Sequence, residues 1–83
     1  MPARQMTDLD RAAAAYIRAR SGKLNLSQKD LSERSGISAS TVHRYWNGLR
    51  SMSLGDLKTL INALDDTMPN ALSEIERLTV ELQ

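Results

Sequence analysis

The chain has 83 residues, a formal net charge of +1, no cysteine, no phenylalanine and three aromatic side chains, Tyr16, Tyr45 and Trp46. Such a length supports one small domain that buries ~60 to 65% of its unfolded surface, with a core of Leu, Ile, Val, Ala and Met better suited to packed helices than to a sandwich. The missing cysteines exclude a disulfide framework and a thiolate site and fit a reducing cytoplasm, and the longest apolar run, Ala12 to Ile17, is far short of the ~18 residues of a membrane span.

Residues 1–6 are expected to form a flexible N-terminus. Thr7 followed by Asp10 has capping-box spacing, and Leu9, Ala12, Ala13, Tyr16 and Ile17 then fall on one face. A first helix is expected from Asp8 to about Arg20, with Gly22 ending it in the left-handed conformation. Ser27 and Asp30 repeat the start signal, for a second helix that runs from Gln28 to about Arg34 and stops at Gly36. Ser38 caps a third helix across Ala39 to Trp46. Ser53 and Asp56 open a fourth, whose apolar stripe is Leu54, Leu57, Leu60, Ile61 and Leu64. The segment DDTMPN breaks the chain again, since Pro69 is tolerated only in a first turn. A last helix is expected from about Asn70 to Leu82, with Leu72, Ile75, Leu78 and Leu82 on one side. The expected fold is therefore all-α with five helices, without repeats or low-complexity linkers.

Charge is divided along the chain. Residues 1–50 carry nine basic and four acidic side chains, residues 51–83 two basic and six acidic. A polyanion would favour one side of the molecule while the total stays near neutral.

Helices two and three are separated only by Ser35, Gly36 and Ile37, a turn that forces a steep crossing: a helix-turn-helix. Leu31, Ile37, Val42 and Tyr45 are expected to close the angle, with the small Ser32 allowing close approach. On a wheel of about 100° per residue centred on Val42, Tyr45 and Trp46 lie within roughly 60°, while Ser40, Arg44 and Asn47 cluster near the opposite pole. Thr41 and His43 flank that outward line, which carries one guanidinium and no carboxylate. This chemistry suits a DNA major groove, which admits one helix and displays donors, acceptors and thymine methyls. Gln28 and the free N–H groups at the start of helix two offer a seat for a phosphate. His43 is the sole histidine, and without cysteine, a carboxylate pair in a cleft or a glycine-rich phosphate loop, an enzymatic or metal role has little to stand on. No cofactor is expected.

The stretch resembles the helix-turn-helix of the phage lambda repressor and Cro family. The shared features are Gln28, Leu31, a small residue at Ser32, Gly36, Ile37, Val42 and the pair Asn47 and Gly48. Two departures stand out: Ser32 replaces the usual alanine, and Tyr45 and Trp46 replace the usual tryptophan and acidic residue. The resemblance implies a DNA-binding domain over residues 7–66, acting as a two-fold dimer on operator DNA to repress transcription. Base contacts are then expected from Ala39, Ser40, Thr41, His43 and Arg44, and backbone contacts from Lys23, Asn25, Gln28, Ser38, Asn47 and Arg50. Arg11, Arg18 and Arg20 sit off the apolar face of helix one, whose acidic start is expected to face away from DNA. Residues 67–83 form a C-terminal helix with Leu72, Ile75, Leu78 and Leu82 as candidate dimerisation contacts. The rival readings are an antitoxin whose last helix clasps a toxin, and an adaptor contacting polymerase; a homodimer in the bacterial cytoplasm, without membrane contact, is the leading expectation.

Overall fold

The structure, a computed structural model, describes residues 6–81, so Leu82 and residues 1–5 of the expected flexible N-terminus lie outside it. The described residues form five α-helices and no strand: α1 (Asp8–Lys23), α2 (Gln28–Ser35), α3 (Ala39–Trp46), α4 (Leu54–Ala63) and α5 (Met68–Glu81). Four of these begin where a hydroxyl side chain accepts from the third helical N–H: Thr7, Ser27, Ser38 and Ser53. At Thr7 and Ser27 the third residue, an aspartate, also reaches back to the cap N–H, so two orphan donors are satisfied at once. In α5, Pro69 occupies the first turn, where its missing N–H costs no hydrogen bond.

The helix ends follow one pattern with different residues. After α1, the Leu26 N–H donates to Ser21 O and the Asn25 N–H to Gly22 O, with Asn25 at φ 59. The same double closure follows α3, with Gly48 left-handed, and α4, with Asp65 at φ 55. The expectation that Gly22 ends the first helix is therefore corrected. Gly22 lies inside α1, which runs on to Lys23, and Asn25 takes the left-handed turn. Gly36, in contrast, is left-handed as expected, at φ 75, and its N–H caps Ser32 O.

One core joins all five helices: Ala12, Ala13, Tyr16 and Ile17 from α1, Leu31 from α2, Val42 and Tyr45 from α3, Leu60 and Ile61 from α4 with Leu64 at its C-cap, and Ala71 and Ile75 from α5. Each fully buried leucine or isoleucine contributes about 1.5 to 3 kcal/mol of transfer free energy. Two members of the expected stripes are not in it: Leu9 is 56% and Leu54 73% exposed. Both stand in the first turn of their helices, and helical side chains lean toward the N-terminus, which carries these two past the edge of the core. Ile75, one of the expected dimer contacts, is 2% exposed and belongs to the protomer's own core, against which the half-buried Leu78 packs.

Long-range polar contacts fix how the helices sit. The Tyr16 hydroxyl, carried by α1, donates to Asp66 at the entry to α5 (2.6 Å), and Asp66 also accepts from the Thr67 N–H and the Asn70 amide. That hydrogen bond holds the Asp66 carboxyl below the usual range, while burial and the same carboxylate push the Tyr16 phenol up. Arg20 donates to Leu64 O and Asp65 O, and Arg34 to Ala63 O, so two guanidinium groups satisfy the carbonyls at the end of α4.

Candidate nucleic-acid interface

The angle between α2 and α3 is set from the turn outward. Gly36 supplies the left-handed residue, and the Ser32 hydroxyl donates to Ile37 O at 2.6 Å, so this small residue ties the turn to α2 as well as admitting the neighbouring helix. Leu31, Val42 and Tyr45 are all but inaccessible, and Ile37 packs against them. The Tyr45 hydroxyl donates to Asp56 of α4 at 2.5 Å, and burial together with that carboxylate raises its pKa. Trp46 is half-buried against the core, and its carbonyl accepts from Arg18 at 2.6 Å. Helix α3 is thus held on its inner side by packing and at its C-terminal end by two helices.

With that side fixed, the opposite side of α3 is free. Ala39, Ser40, His43, Arg44 and Asn47 are exposed and Thr41 is half-buried, in the arrangement the helical wheel predicts. Ser38 is occupied by capping: its oxygen accepts from the Thr41 N–H, and its hydroxyl donates to Thr41 Oγ1 at 2.9 Å. No acidic side chain stands on α3. Gln28, at the start of α2, reaches this face, where its Oε1 lies 3.3 Å from His43 Nδ1. Asn47 donates from Nδ2 to His43 O at 2.8 Å, and the same Nδ2 lies 3.2 Å from His43 Nδ1. The Ser27 backbone N–H, with a further contribution from the Ser27 side chain, holds the Asp30 carboxyl below its ordinary value, so the one acid in the first turn of α2 is turned back onto the cap.

The other expected backbone contacts are more scattered. Asn25 makes the left-handed turn just before α2 and is exposed. Arg50 stands with its guanidinium carbon 6.0 Å from the Tyr45 ring centroid, at the outer limit of a cation–π contact. Lys23 lines a cleft of about 250 Å³ between α1 and α5, together with Tyr16, Arg20, Asp66, Asn70 and Glu74. On the other side of α1, Arg11 and Arg18 border a groove of about 230 Å³ with Ala14, Ala15, Asn47 and Gly48. This neighbourhood of α3 is not evident from the helical stripes, although two arginines seven apart with small residues between them give a local signal for it.

Along α5, Leu72 is 39% and Val80 69% exposed, while Arg77 pairs with Glu74 and Glu81. Among the described residues, no group of three His, Cys, Asp or Glu side chains is placed to hold a metal ion, and no helix is long and apolar enough to cross a membrane.

A family model described as helix-turn-helix matches residues 17–67, more than half of the chain and the whole of α2, α3 and α4. No curated protein and no solved structure matches the chain.

Proposed function

Since the chain belongs to the helix-turn-helix family of lambda repressor and Cro type, a family of sequence-specific DNA-binding transcriptional regulators, we propose that it is a phage or prophage repressor that binds a palindromic operator as a homodimer. The observation that carries this reading is the exposed line Ser40, His43, Arg44 and Asn47 on a helix whose other side is anchored by Val42 and Tyr45. A guanidinium in such a line forks onto the O6 and N7 of guanine, and hydroxyls serve several base edges. Base contacts are assigned to Ala39, Ser40, Thr41, His43 and Arg44. Backbone contacts are assigned to Gln28, Asn47, Asn25, Ser38, Lys23 and Arg50, and half-sites to about one helical turn of DNA, ~34 Å apart. Repression is by occupancy: the bound dimer excludes polymerase.

For the dimer contact, the outer face of α5 is the assigned surface, now reduced to Leu72 and Val80 with Leu78 at its margin. It lies in the acidic half of the chain, which suits a contact away from DNA. The test is sedimentation of the chain carrying Leu72→Glu and Val80→Glu. A monomer is expected, and an undiminished dimer removes this interface.

A further inference from the structure

On the outward side of α3, one nitrogen has two neighbours that it cannot serve together. His43 Nδ1 lies 3.3 Å from Gln28 Oε1 and 3.2 Å from Asn47 Nδ2. With a hydrogen on Nδ1 the ring donates to Gln28, and the Asn47 amide has no lone pair to meet. With the hydrogen on Nε2, Nδ1 accepts from Asn47, and Gln28 Oε1 faces a bare nitrogen instead of a donor. Reversing the Gln28 amide leaves the competition in place, since one ring lone pair cannot serve two N–H donors.

We infer that His43 is a positioning residue, whose Nδ1 selects which of two DNA-facing amides is tethered: Gln28 at the start of α2 or Asn47 at the end of α3. This deepens the proposed function and rests on it, because both amides are there assigned to the DNA backbone. In the Nδ1–H state the bridge joins α2 to the recognition helix across the turn, and Asn47 keeps only its bond to His43 O (2.8 Å). Its second amide hydrogen is then available to a phosphate. In the Nε2–H state α3 holds Asn47 by both contacts, and Gln28 is released. The imidazolium has a hydrogen on both nitrogens, so acid commits the ring to Gln28 and presents Nε2–H and a positive charge to the polyanion.

The charged side chains next to these positions are Lys29 and Asp30, which follow Gln28 on α2, Arg44, which follows His43 on α3, and Arg11 and Arg18 of α1, which share a groove with Asn47. Asp30 is engaged with the Ser27 cap, and no carboxylate on α3 competes for the ring. His43 is also the only histidine of the chain, so imidazole signals have a single source.

Two measurements on the full chain separate this inference from the functional reading. The first needs no DNA: long-range ¹H–¹⁵N spectra of the His43 ring in its neutral form, which also report directly that the ring is neutral. Asn47→Ala removes a donor and is expected to raise the Nδ1–H population, while Gln28→Ala removes an acceptor and is expected to lower it. Gln28→Glu, which keeps the acceptor, is the second variant should Gln28→Ala perturb α2; it is expected to raise the Nδ1–H population. Populations that stay put or move in the same direction for the two alanine variants overturn the bridge.

The second measurement is fluorescence anisotropy on a duplex carrying the best site recovered from random sequences. On acidification from mildly alkaline buffer the affinity is expected to rise on the order of 3- to 10-fold, the range of one net hydrogen bond. His43→Gln, which retains a hydrogen-bonding side chain, is expected to be flat. A flat profile for the unmodified chain, or the same rise in His43→Gln, overturns the positioning role. Failure to recover any site removes the functional reading and with it the DNA consequence, and the ring spectra then decide the bridge itself.

Discussion

Gly22→Ala sets two accounts of the end of α1 against each other. If Gly22 were the left-handed cap expected from the sequence, alanine there would cost about 1 to 2 kcal/mol of backbone strain. In the structure Gly22 is helical, and a Cβ built on it meets nothing within 4 Å, so neither strain nor a clash arises. What remains is the helix preference for alanine and the lower entropy of its unfolded chain, about 0.5 to 1 kcal/mol in favour of the variant. In a domain of this size that corresponds to a rise in Tm of roughly 2 to 8 °C. Thermal unfolding followed by circular dichroism at fixed pH is the assay, with urea unfolding to confirm that the slope is unchanged. Asn25→Ala is the partner experiment: at φ 59 it is expected to destabilise by about 1 kcal/mol, whereas Asn25→Gly is expected to be neutral or stabilising. A fall in Tm for Gly22→Ala with no effect of Asn25→Ala would refute the placement of the turn.

Other consequences follow from the core and from the bond between α1 and α5. Leu60→Ala removes a side chain with 0% exposure, and a loss of about 2 to 5 kcal/mol is expected in urea unfolding; a loss below 1 kcal/mol would mean the core is looser than described. Tyr16→Phe deletes the hydroxyl bonded to Asp66 and is expected to cost about 0.5 to 1.5 kcal/mol near neutral pH. Its pH dependence has two signs. Asp66 is depressed in the folded chain, so its contribution is present above the ordinary carboxylate pKa and is lost as pH falls through the lowered value. Tyr16 is raised, so its contribution is present below about pH 10, the unfolded tyrosine value, and is lost as pH climbs beyond it. Tyr16→Phe should flatten both arms of the stability profile, and unchanged arms would separate Tyr16 from Asp66.

What could be read from the sequence was mostly local. The starts of the first four helices and the stop at Gly36 were legible because a capping hydroxyl meets a backbone N–H only three residues away, and because a left-handed residue between two short helices favours glycine. The inner side of α3 was legible for the same reason: Val42 and Tyr45 share one helical face and are buried. The Gly22 end was misread because two residues near it tolerate positive φ. The choice of Asn25 goes with Leu24 and Leu26, which pack against a core assembled from distant segments. Leu9 and Leu54 belong to their stripes by angle, but first-turn positions fall outside the volume the stripe encloses. Arg20 and Arg34 reach the end of α4 across 44 and 29 residues of sequence, distances over which periodicity carries no information. The stripe on α5 was visible, but which of its members turn inward depended on how α5 packs on the other helices, and Ala71 and Ile75 are the ones that join the core. The sharing of His43 between Gln28 and Asn47 depends on the crossing of α2 and α3, which residue spacing does not specify.

Arg44 on α3 is the residue proposed to read base edges. The most direct measurement is selection of binding sites from random duplexes by the unmodified chain and by Arg44→Ala, in parallel. A palindromic site with half-sites about one turn of DNA apart is expected, with preference at one base pair per half-site lost in Arg44→Ala and affinity for the best site reduced by about 1 to 3 kcal/mol. No enriched site, or an identical preference profile for the two proteins, would contradict it.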